Sequence, residues 1–529
     1  MTIRTSTASA TTGGPETAAH EVTRKQIRGS SLLLSGRFIS LGMNFAIQIL
    51  IVRYLSKADY GAWAYVVSLV SLGVSVATFG LDRSITRFIP IYDEEKAYDK
   101  LWGTIVMVAG TILSISFGII LLVYGLHNLL AGTLISNEQA ISVLLIMVFG
   151  VPIQSMDGLT TGLFAVMAKP RAIFFRKSIL GPLLRLIVVL LLVFSGASII
   201  FLAAGFVTCG AITVVLYGFF LYRTVRREGL LDHFSWATLD MPWREVLGFT
   251  VPLLASDLLY MVMNTTDAVL VGHYNGAEGV GALRVILPVA HLNLLVFSSF
   301  TLLFTPVAAR LFARGDTPGI GHLYWHTSAW IAVLTFPIFA LTFSLAEPLT
   351  VTLFGERYGG SAAYLSVLAI AYYFNAALGF NGLTLKVFGK VWFIVLISVI
   401  AAIVNLALNF ALVPLYGPLG AAIATASTLV AHNLLKQWGL WRGTGIAFFE
   451  RQQARVYLTV ALAAVVLLVL HELLHPPIWV AVPLAAIASL VVVLMSRNLL
   501  RAGQTFPELA RFRVIRLILG DDREAGVSK

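Results

Sequence analysis

Most of this chain consists of about fourteen hydrophobic stretches, each of which is long enough to cross a lipid bilayer. A bilayer core of about 30 Å requires about 20 apolar residues per helix, and a backbone exposed to lipid must be helical because water is absent. The chain is 58% hydrophobic and only 12% charged, outside the range of soluble domains. The sequence therefore predicts an all-α, polytopic membrane protein with about 14 transmembrane helices.

The predicted spans are separated by short polar segments. They lie near 31–52, 60–80, 101–124, 139–165, 178–195, 198–221, 246–271, 280–306, 326–351, 362–385, 391–413, 418–440, 455–474 and 477–496. Residues 1–30 are rich in Thr, Ser, Ala and Gly and predict a disordered tail without the apolar core of a signal peptide. Residues 497–529 predict a basic amphipathic tail, in which Arg511, Arg513 and Arg516 alternate with apolar residues.

The net charge of +11 comes from basic residues concentrated on one side of the predicted membrane. Most Lys and Arg residues fall in the two tails and in the loops after even-numbered spans. The odd-numbered loops contain Arg53, Lys57 and Arg357. This positive-inside pattern predicts that both termini lie in the cytoplasm, and it accounts for the basic charge without a nucleic-acid partner. The only cysteine, Cys209, lies inside a span, so no disulfide framework is possible.

The chain also repeats itself after about 220 residues. Tyr54 corresponds to Tyr274, Gly61-Ala62 to Gly281-Ala282, and Gly162-Leu163 to Gly382-Leu383. The pattern predicts a six-helix N-lobe at 31–221, a six-helix C-lobe at 246–440 and an additional pair of spans at 455–496. Because six is even, the two lobes are parallel repeats, an arrangement of transporters in which the substrate path lies between the halves.

Three segments resemble a known family. They are residues 53–61 (RYLSKADYG), 79–90 (FGLDRSITRFIP) and 412–425 (LVPLYGPLGAAIAT). They are similar to oligosaccharide flippases of bacterial O-antigen and exopolysaccharide pathways, within the multidrug/oligosaccharidyl-lipid/polysaccharide exporter superfamily. The resemblance covers about 30–440. It implies two lobes around a V-shaped cavity that opens alternately to the two membrane faces.

The resemblance also implies a location in the bacterial inner membrane, a substrate and partners. The family moves polyprenyl-diphosphate-linked sugars from the cytoplasmic to the outer leaflet for cell-surface polysaccharide synthesis. The expected partners are a lipid-linked glycan, membrane lipids and polysaccharide assembly proteins, and H⁺ or Na⁺ is the candidate coupling ion. The sequence contains no phosphate-binding Gly-Lys-Ser/Thr loop and no Cys cluster, so we expect neither catalytic residues nor a cofactor.

Polar residues inside the predicted spans are the candidate substrate ligands: Arg37, Asn44, Gln48, Arg185, Arg284 and His291. An Arg at the bilayer centre costs about 2.5–3.5 kcal/mol, so such residues usually face a protein interior or a cavity. The three arginines suit a diphosphate, because a guanidinium binds phosphate oxygens in pairs. Alternatively, Arg37 and Arg185 extend to the cytoplasmic interface, Arg284 extends to the outer face, and His291 is a core histidine.

A second group of polar residues suits ion coupling: Asp257, Asn264, Asp267, Asn405 and Asn409. Asp257 lies nearest the middle of the membrane, and the 220-residue shift places it on Arg37. A buried carboxylate can be neutralised by an ion in one state and by an arginine in another. The alternatives are a static ion pair for Asp257, a cap or pair for Asp267, and interhelical hydrogen bonds for the two asparagines of span 11. Gln154, Asp157 and Thr161 share one face of span 4.

Residues 471–475 (HELLH) match the pattern in which two histidines bind zinc and a glutamate activates water. Met156-Asp157-Gly158 is also similar to the Asp-Gly of intramembrane metalloproteases, but it precedes the histidines, the reverse of the order in those enzymes. Pro476-Pro477 must end the helix, and the pattern lies outside the repeats. We therefore interpret His471 and His475 as residues of the membrane–water interface and predict no metal site.

The predicted function is that of a flippase for lipid-linked oligosaccharides, and two other functions remain open. A cation-coupled exporter of small molecules would have an apolar, aromatic cavity with acidic residues and few arginines. A membrane-embedded glycan polymerase would usually carry a large external loop or domain, whereas the predicted external loops reach only about 16 residues.

Overall fold

The computed structural model describes residues 15–128, 138–167 and 169–500. Within these ranges it describes all side chains except those of residues 15–34, 138, 252–264 and 302–303. Every regular element in these ranges is a helix. Twelve of the helices are long and apolar enough to cross a membrane, and a bent pair, Thr265–Arg284 with Leu287–Thr301, raises the number to thirteen. The predicted all-α membrane protein is confirmed, whereas the number of fourteen spans stays a prediction.

The described residues of the first half of the chain form nine α-helices. They are α1 Pro15–Tyr54, α2 Lys57–Thr78, α3 Asp82–Glu94, α4 Tyr98–Gly125, α5 Glu138–Met147, α6 Gly150–Val166, α7 Pro170–Phe174, α8 Gly181–Ser195 and α9 Ile199–Arg227. A π-helix, Phe175–Leu180, joins α7 to α8. Helix α1 begins at Pro15, so residues 15–30 are helical and not disordered; their Ala, Glu, Lys, Gln and Arg residues favour a helix. Residues 1–14 lie outside the described residues.

The second half continues with α10 Trp243–Arg284, α11 Leu287–His291, α12 Leu295–Ala313, α13 Thr317–Phe339, α14 Ala346–Phe354, α15 Ala362–Leu378, α16 Phe380–Val387, α17 Val391–Tyr416, α18 Pro418–Thr444, α19 Arg451–Leu474 and α20 Ile478–Leu500. Gly276 adopts φ 67° and interrupts α10, in a region of backbone space that favours glycine. The predicted basic tail beyond Leu500, with Arg511, Arg513 and Arg516, lies outside the described residues.

The chain divides into two compact units. The first comprises the described parts of Met1–Gln48, Ala77–Phe117 and Phe149–Thr250, and the second those of Ile49–Val76, Gly118–Val148 and Val251–Lys529. The second unit thus includes segments of the predicted N-lobe together with the predicted C-lobe from residue 251 onward. The two predicted lobes and their boundaries stay a prediction.

Each unit has its own apolar core. In the first unit, Ile85 of α3 and Leu81, which directly precedes α3, pack with Leu101 of α4 and Leu159 of α6. In the second unit, α19 and α20 contribute side chains to a cluster with α13 and α15, so the last two helices are an integral part of this unit. Large apolar side chains also remain on the surface, as Leu121 and Phe194 show. Such a surface is suited to lipid contact.

Candidate functional site

A cavity of about 620 Å³ lies in the first unit beside α6, α7 and α9. Four cationic and four aromatic side chains line it: Lys169, Arg171, Arg223, Arg227, Phe164, Phe175, Tyr217 and Phe220. We call this cavity the basic pocket. Its size and mostly apolar lining resemble those of ligand-binding cavities, which combine an apolar wall with a few polar groups that fix orientation.

The basic pocket keeps an excess of positive charge. Lys169 Nζ forms an ion pair with Glu228 Oε1 at 2.9 Å, which offsets one of the four cations. The Arg223 guanidinium also lies 5.5 Å from the centre of the Phe219 ring. An anionic group that enters this pocket therefore meets several guanidinium donors, which can form charge-assisted hydrogen bonds with it.

Sequence reasoning did not identify the basic pocket, because it counted these residues as loop charges that set topology. A signal was nevertheless present. Phe220, Arg223, Thr224 and Arg227 are spaced i, i+3, i+4 and i+7, so they share one face of α9. The turn at Lys169 and Pro170 then brings Arg171 to the same place, and that contact depends on the tertiary fold.

Arg176 forms a buried ion pair next to the basic pocket. Its guanidinium contacts the Asp157 carboxylate and donates to the Thr161 hydroxyl and the Asp157 carbonyl, both at 3.1 Å. The ring of Tyr217, which also lines the pocket, lies 5.1 Å from the guanidinium. The π-helix Phe175–Leu180 carries Arg176, and π-helical segments occur often at functional sites.

The predicted polar face of span 4 is thus used, since both Asp157 and Thr161 bind Arg176. Sequence reasoning missed Arg176 itself because the predicted span 5 began at 178, two residues later. The structure starts this helical segment at Pro170. A guanidinium that is only 2% exposed therefore belongs to the interior of the unit rather than to a loop.

Four of the predicted substrate ligands lie elsewhere in the first unit. Arg37, Asn44 and Arg185 are exposed, and Gln48 is half-buried. Asn44 donates to the carbonyl of Ser40 at 2.7 Å, while the Arg185 guanidinium lies 5.7 Å from the Phe206 ring. Their role as substrate ligands stays a prediction.

Three predicted residues meet inside the second unit. Arg284 Nη2 lies 3.1 Å from Asp267 Oδ1, and that oxygen also accepts from the Ala268 amide at 2.7 Å. His291 Nε2 lies 2.8 Å from the Tyr372 hydroxyl. All four side chains line a cavity of about 40 Å³, which has room for about one water molecule and not for a sugar. We call it the ion-pair cavity.

Asn405 and Asn409 are buried between α17 and α18. Asn405 donates to the Thr428 hydroxyl at 3.4 Å, and Asn409 donates to the carbonyl of Asn405 at 3.0 Å. The first contact is an interhelical hydrogen bond, and the second lies within α17. An ion-binding role for them stays a prediction, and the side chains of the other two candidates, Asp257 and Asn264, lie outside the described residues.

Two arginines join segments of both sequence repeats within the second unit. Arg53, at the end of α1, donates to the carbonyl of Leu353 at 2.9 Å and to that of Thr352, at the end of α14. Arg357 in turn donates to the carbonyls of Val52 and Arg53. Arg53 therefore binds carbonyls at the C-terminus of α14, and Arg357 binds carbonyls at the C-terminus of α1. Carbonyl groups at helix C-termini otherwise lack a partner within the helix.

Glycines related by the 220-residue repeat lie against each other at the same place. A Cβ atom at Gly281 would lie 3.1 Å from the Cα atom of Gly61, and one at Gly61 would overlap the backbone carbonyl of Ala277. Lys57 Nζ approaches Glu278 Oε2 to 4.0 Å. We call these contacts, together with those of Arg53 and Arg357, the closure cluster. It contains all three basic residues that the charge pattern left in odd-numbered loops.

Comparisons with known proteins identify the fold. The family model described as "Polysaccharide biosynthesis protein" matches residues 50–363. The uncharacterized membrane protein MJ1068 of Methanocaldococcus jannaschii is 20% identical over 437 residues, which cover 79% of this chain and 84% of that protein.

Two solved structures share the arrangement of helices. One is the lipid II flippase MurJ in an inward closed conformation, with a TM-score of 0.69, 16% identity, and coverage of 90% of this chain and 100% of that one. The other is an inward-facing MATE family transporter of the MOP superfamily, with a TM-score of 0.63, 13% identity, and coverage of 77% and 95%. At these identities the similarity shows the fold.

Proposed function

This chain belongs to the polysaccharide biosynthesis protein family, and we propose that it is an alternating-access flippase for polyprenyl-diphosphate-linked oligosaccharides. It is a multi-span membrane transporter with the flippase and exporter fold of MurJ and MATE proteins. In our proposal the substrate moves from the cytoplasmic to the outer leaflet of a bacterial inner membrane. Polysaccharide assembly proteins then receive the oligosaccharide outside.

The basic pocket is the observation that supports this proposal best. A lipid-linked oligosaccharide carries a diphosphate between a polyprenyl chain and a sugar. The pocket offers three guanidinium groups for the phosphate oxygens, and guanidinium binds phosphate through paired hydrogen bonds. Its aromatic rings offer surfaces for sugar rings or prenyl groups. Because the first unit also holds Arg37 and Arg185, further cations can contact the substrate during transport.

The alternative is a cation-coupled exporter of small molecules with the same fold. Such a protein would need a cavity that attracts cations or neutral aromatic compounds. The excess of cations in the basic pocket repels cationic drugs and attracts anions. The charge of this pocket therefore favours an anionic lipid as the substrate.

The membrane potential assists outward movement of this substrate. An inside-negative potential favours the exit of each negative charge by about 2.3 kcal/mol per 100 mV. The step that requires coupling is then the return of the empty carrier. Asp257 stays our candidate for binding H⁺ or Na⁺ in that step, and Asp267 beside Arg284 offers a second carboxylate with an arginine already in contact.

The proposal predicts that the cations of the basic pocket are essential for flipping. Replacing Arg171, Arg223 and Arg227 by Ala should reduce the initial rate at least about 100-fold, because hydrogen bonds to charged groups contribute about 1.5–3 kcal/mol each. The corresponding Lys variant should recover part of the rate, since it keeps charge but loses paired hydrogen bonds. The measurement is flipping of a fluorescent polyprenyl-diphosphate sugar in proteoliposomes.

Arg442→Ala is the matched control, because Arg442 is an exposed arginine near the end of α18, where its guanidinium lies over Trp441. It should flip at the wild-type rate. A triple Ala variant that reconstitutes and flips normally would rule out the basic pocket as the diphosphate site. Export of an organic cation by the wild type, without flipping of the lipid, would instead support the exporter.

The predicted topology can be tested separately with reporter fusions. Fusions after Arg227, Arg314 and Lys529 should report a cytoplasmic location, because basic loops remain inside. Fusions at Gly276 and Pro476 should report the outside. A cytoplasmic signal at Gly276 would contradict the parallel arrangement of the two repeats.

A further inference from the structure

Three potential metal ligands from distant parts of the chain meet in the second unit. Glu347 lies in the first turn of α14, His471 in the last turn of α19, and His475 directly after α19. Each offers one ligand atom, and these atoms all lie within 4.8 Å of one another. We propose that Glu347, His471 and His475 form a binding site for a divalent transition-metal ion, with Zn²⁺ as the preferred ion.

The distances within this group suit coordination better than hydrogen bonding. His471 Nε2 lies 3.4 Å from Glu347 Oε2, longer than a usual N–H···O hydrogen bond. Ligands at 2.0–2.1 Å from a tetrahedral zinc ion are separated by about 3.4 Å. One edge of the ligand tetrahedron is thus already formed. Rotation of the exposed Glu347 and His475 side chains can complete the other edges.

The His471 ring is buried but incompletely satisfied. Its Nδ1 atom is buried and has no hydrogen-bond partner among the described residues. Nε2 is the ring nitrogen that lies 3.4 Å from Glu347, so it is the nitrogen assigned to the ion. Nδ1 is then the nitrogen that carries the ring hydrogen, because the ring atom that coordinates a metal must be unprotonated.

The backbone at His475 is also held in an unusual conformation. His475 has φ 41° and ψ 55°, a left-handed conformation, and its amide donates to the carbonyl of His471 at 2.8 Å. Residues other than glycine adopt this conformation rarely, and such residues concentrate at ligand sites. The left-handed conformation of His475 ends α19 and turns the chain there. The centres of the His471 and His475 rings lie 5.9 Å apart.

The ligand types define the class of metal. Two imidazoles and one carboxylate suit Zn²⁺ and its neighbours in the first transition row, whereas Ca²⁺ and Mg²⁺ prefer oxygen ligands. Glu347 and His475 are exposed, so an ion has access from solvent. The role is a structural or regulatory one, because the ion would connect α14 to α19. Just before α14, Ser344 already donates to the carbonyl of Ala464 in α19 at 2.8 Å.

Helix α14 connects this site to the closure cluster. The carbonyls of Thr352 and Leu353, which accept from Arg53, lie near its other end. An ion bound at Glu347 would therefore restrain the short helix on which that contact depends. The sequence motif supplied two of the ligands, but Glu347 is 124 positions before His471, and only the fold brings it there.

The test is Zn²⁺ binding to the purified full-length protein, produced without a histidine tag and freed of metal with a chelator. Isothermal titration should give one site per chain. Glu347→Gln, His471→Ala and His475→Ala should each weaken binding at least about ten-fold. Binding should also weaken at acidic pH, because protons and the metal ion compete for the same histidine nitrogens. Co²⁺, added as a spectroscopic probe, should show the absorption of a tetrahedral site in the wild type and lose it in the variants.

The matched control is His322→Ala with His326→Ala. These two histidines have the same i, i+4 spacing on α13, with ring centres 5.7 Å apart, and they belong to no three-ligand group among the described residues. This variant should bind Zn²⁺ like the wild type. Glu347→Gln changes only an exposed side chain and keeps its shape, so a folded Glu347→Gln protein with undiminished affinity would overturn the proposal, as would loss of binding in the control alone.

Discussion

Replacing Asp267 by Asn is expected to destabilise the protein strongly, although the size of the side chain and most of its hydrogen bonds stay unchanged. The substitution removes the carboxylate that lies 3.1 Å from the Arg284 guanidinium, in a cavity of only about 40 Å³. Removing one member of a buried ion pair costs about 3–5 kcal/mol, because the remaining charge loses the opposite charge of that pair. The Asp267→Asn variant should therefore unfold at a temperature several degrees below that of the wild type.

The single cysteine reports the unfolding of the first unit. Cys209 is buried in α9, so a thiol-reactive dye labels it only when the first unit opens. Heating the detergent-solubilised protein in the presence of the dye gives an unfolding curve without engineered labels. Cooperative loss of both units would appear as one transition, and an independent loss of the second unit would require tryptophan fluorescence to be followed in parallel.

The double variant Asp267→Asn/Arg284→Gln separates a structural role from a role in transport. It removes both charges, so most of the lost stability should return, since the cost of burying an ion pair disappears with the pair. If this variant is stable and flips lipid at the wild-type rate, the pair is static. If it is stable but does not flip lipid, the pair takes part in the transport cycle. A double variant no more stable than Asp267→Asn would show that the two charges do not stabilise each other.

The sequence predicted the fold through features that are local or periodic. Long apolar segments can only be helices in a bilayer, and the helices of the structure follow these segments. The 220-residue repeat predicted more than the number of lobes. It paired Gly61 with Gly281, and the structure places these two residues in contact. Two residues that a repeat relates can contact each other when both lie near a pseudo-symmetry axis. The pairing of Gly61 with Gly281 in the repeat therefore corresponds to a contact in the structure.

The sites were harder to predict because they depend on contacts between segments that are distant in sequence. The basic pocket uses cations that a count of loop charges had assigned to topology. Arg176 was placed outside a span because an apolar window gives no information about a π-helix that turns a guanidinium inward. Glu347 contacts histidines that follow it by more than 120 positions, and no spacing rule relates an acidic residue to a histidine over that distance.

The buried ion pair was only half predicted. Asp267, Arg284 and His291 were all chosen because polar residues in spans are costly, and the structure brings the three together. Their assignment to substrate binding and to ion coupling came from the family resemblance and from the position of each residue along its helix. Such reasoning cannot show that Asp267 and Arg284, on either side of the turn at Gly276, contact each other.

Replacing Gly61 by Ala is expected to abolish transport although alanine is the better helix former. A methyl group at this position would overlap the backbone carbonyl of Ala277. Because the obstacle is backbone and not a flexible side chain, α2 and α10 would have to separate. That movement would also lengthen the contacts of Arg53 and Arg357 with the helix ends. In an alternating-access cycle one end must close while the other opens, so a closure cluster that cannot form should stop the cycle and reduce flipping at least about ten-fold.

Cross-linking can report the closure cluster directly. In a Cys209→Ser background, Lys57→Cys with Glu278→Cys places thiols where the two side chains approach to 4.0 Å, and a short bifunctional thiol reagent should join them efficiently. Adding Gly61→Ala should lower the yield several-fold. The control is Gly110→Ala in α4, where a Cβ atom meets nothing within 4 Å; it should leave cross-linking and flipping intact, because Ala in a helix interior is favoured over Gly by about 0.5–1 kcal/mol. Normal cross-linking and flipping in the Gly61→Ala protein would mean that the close approach of the two repeats is not needed for transport.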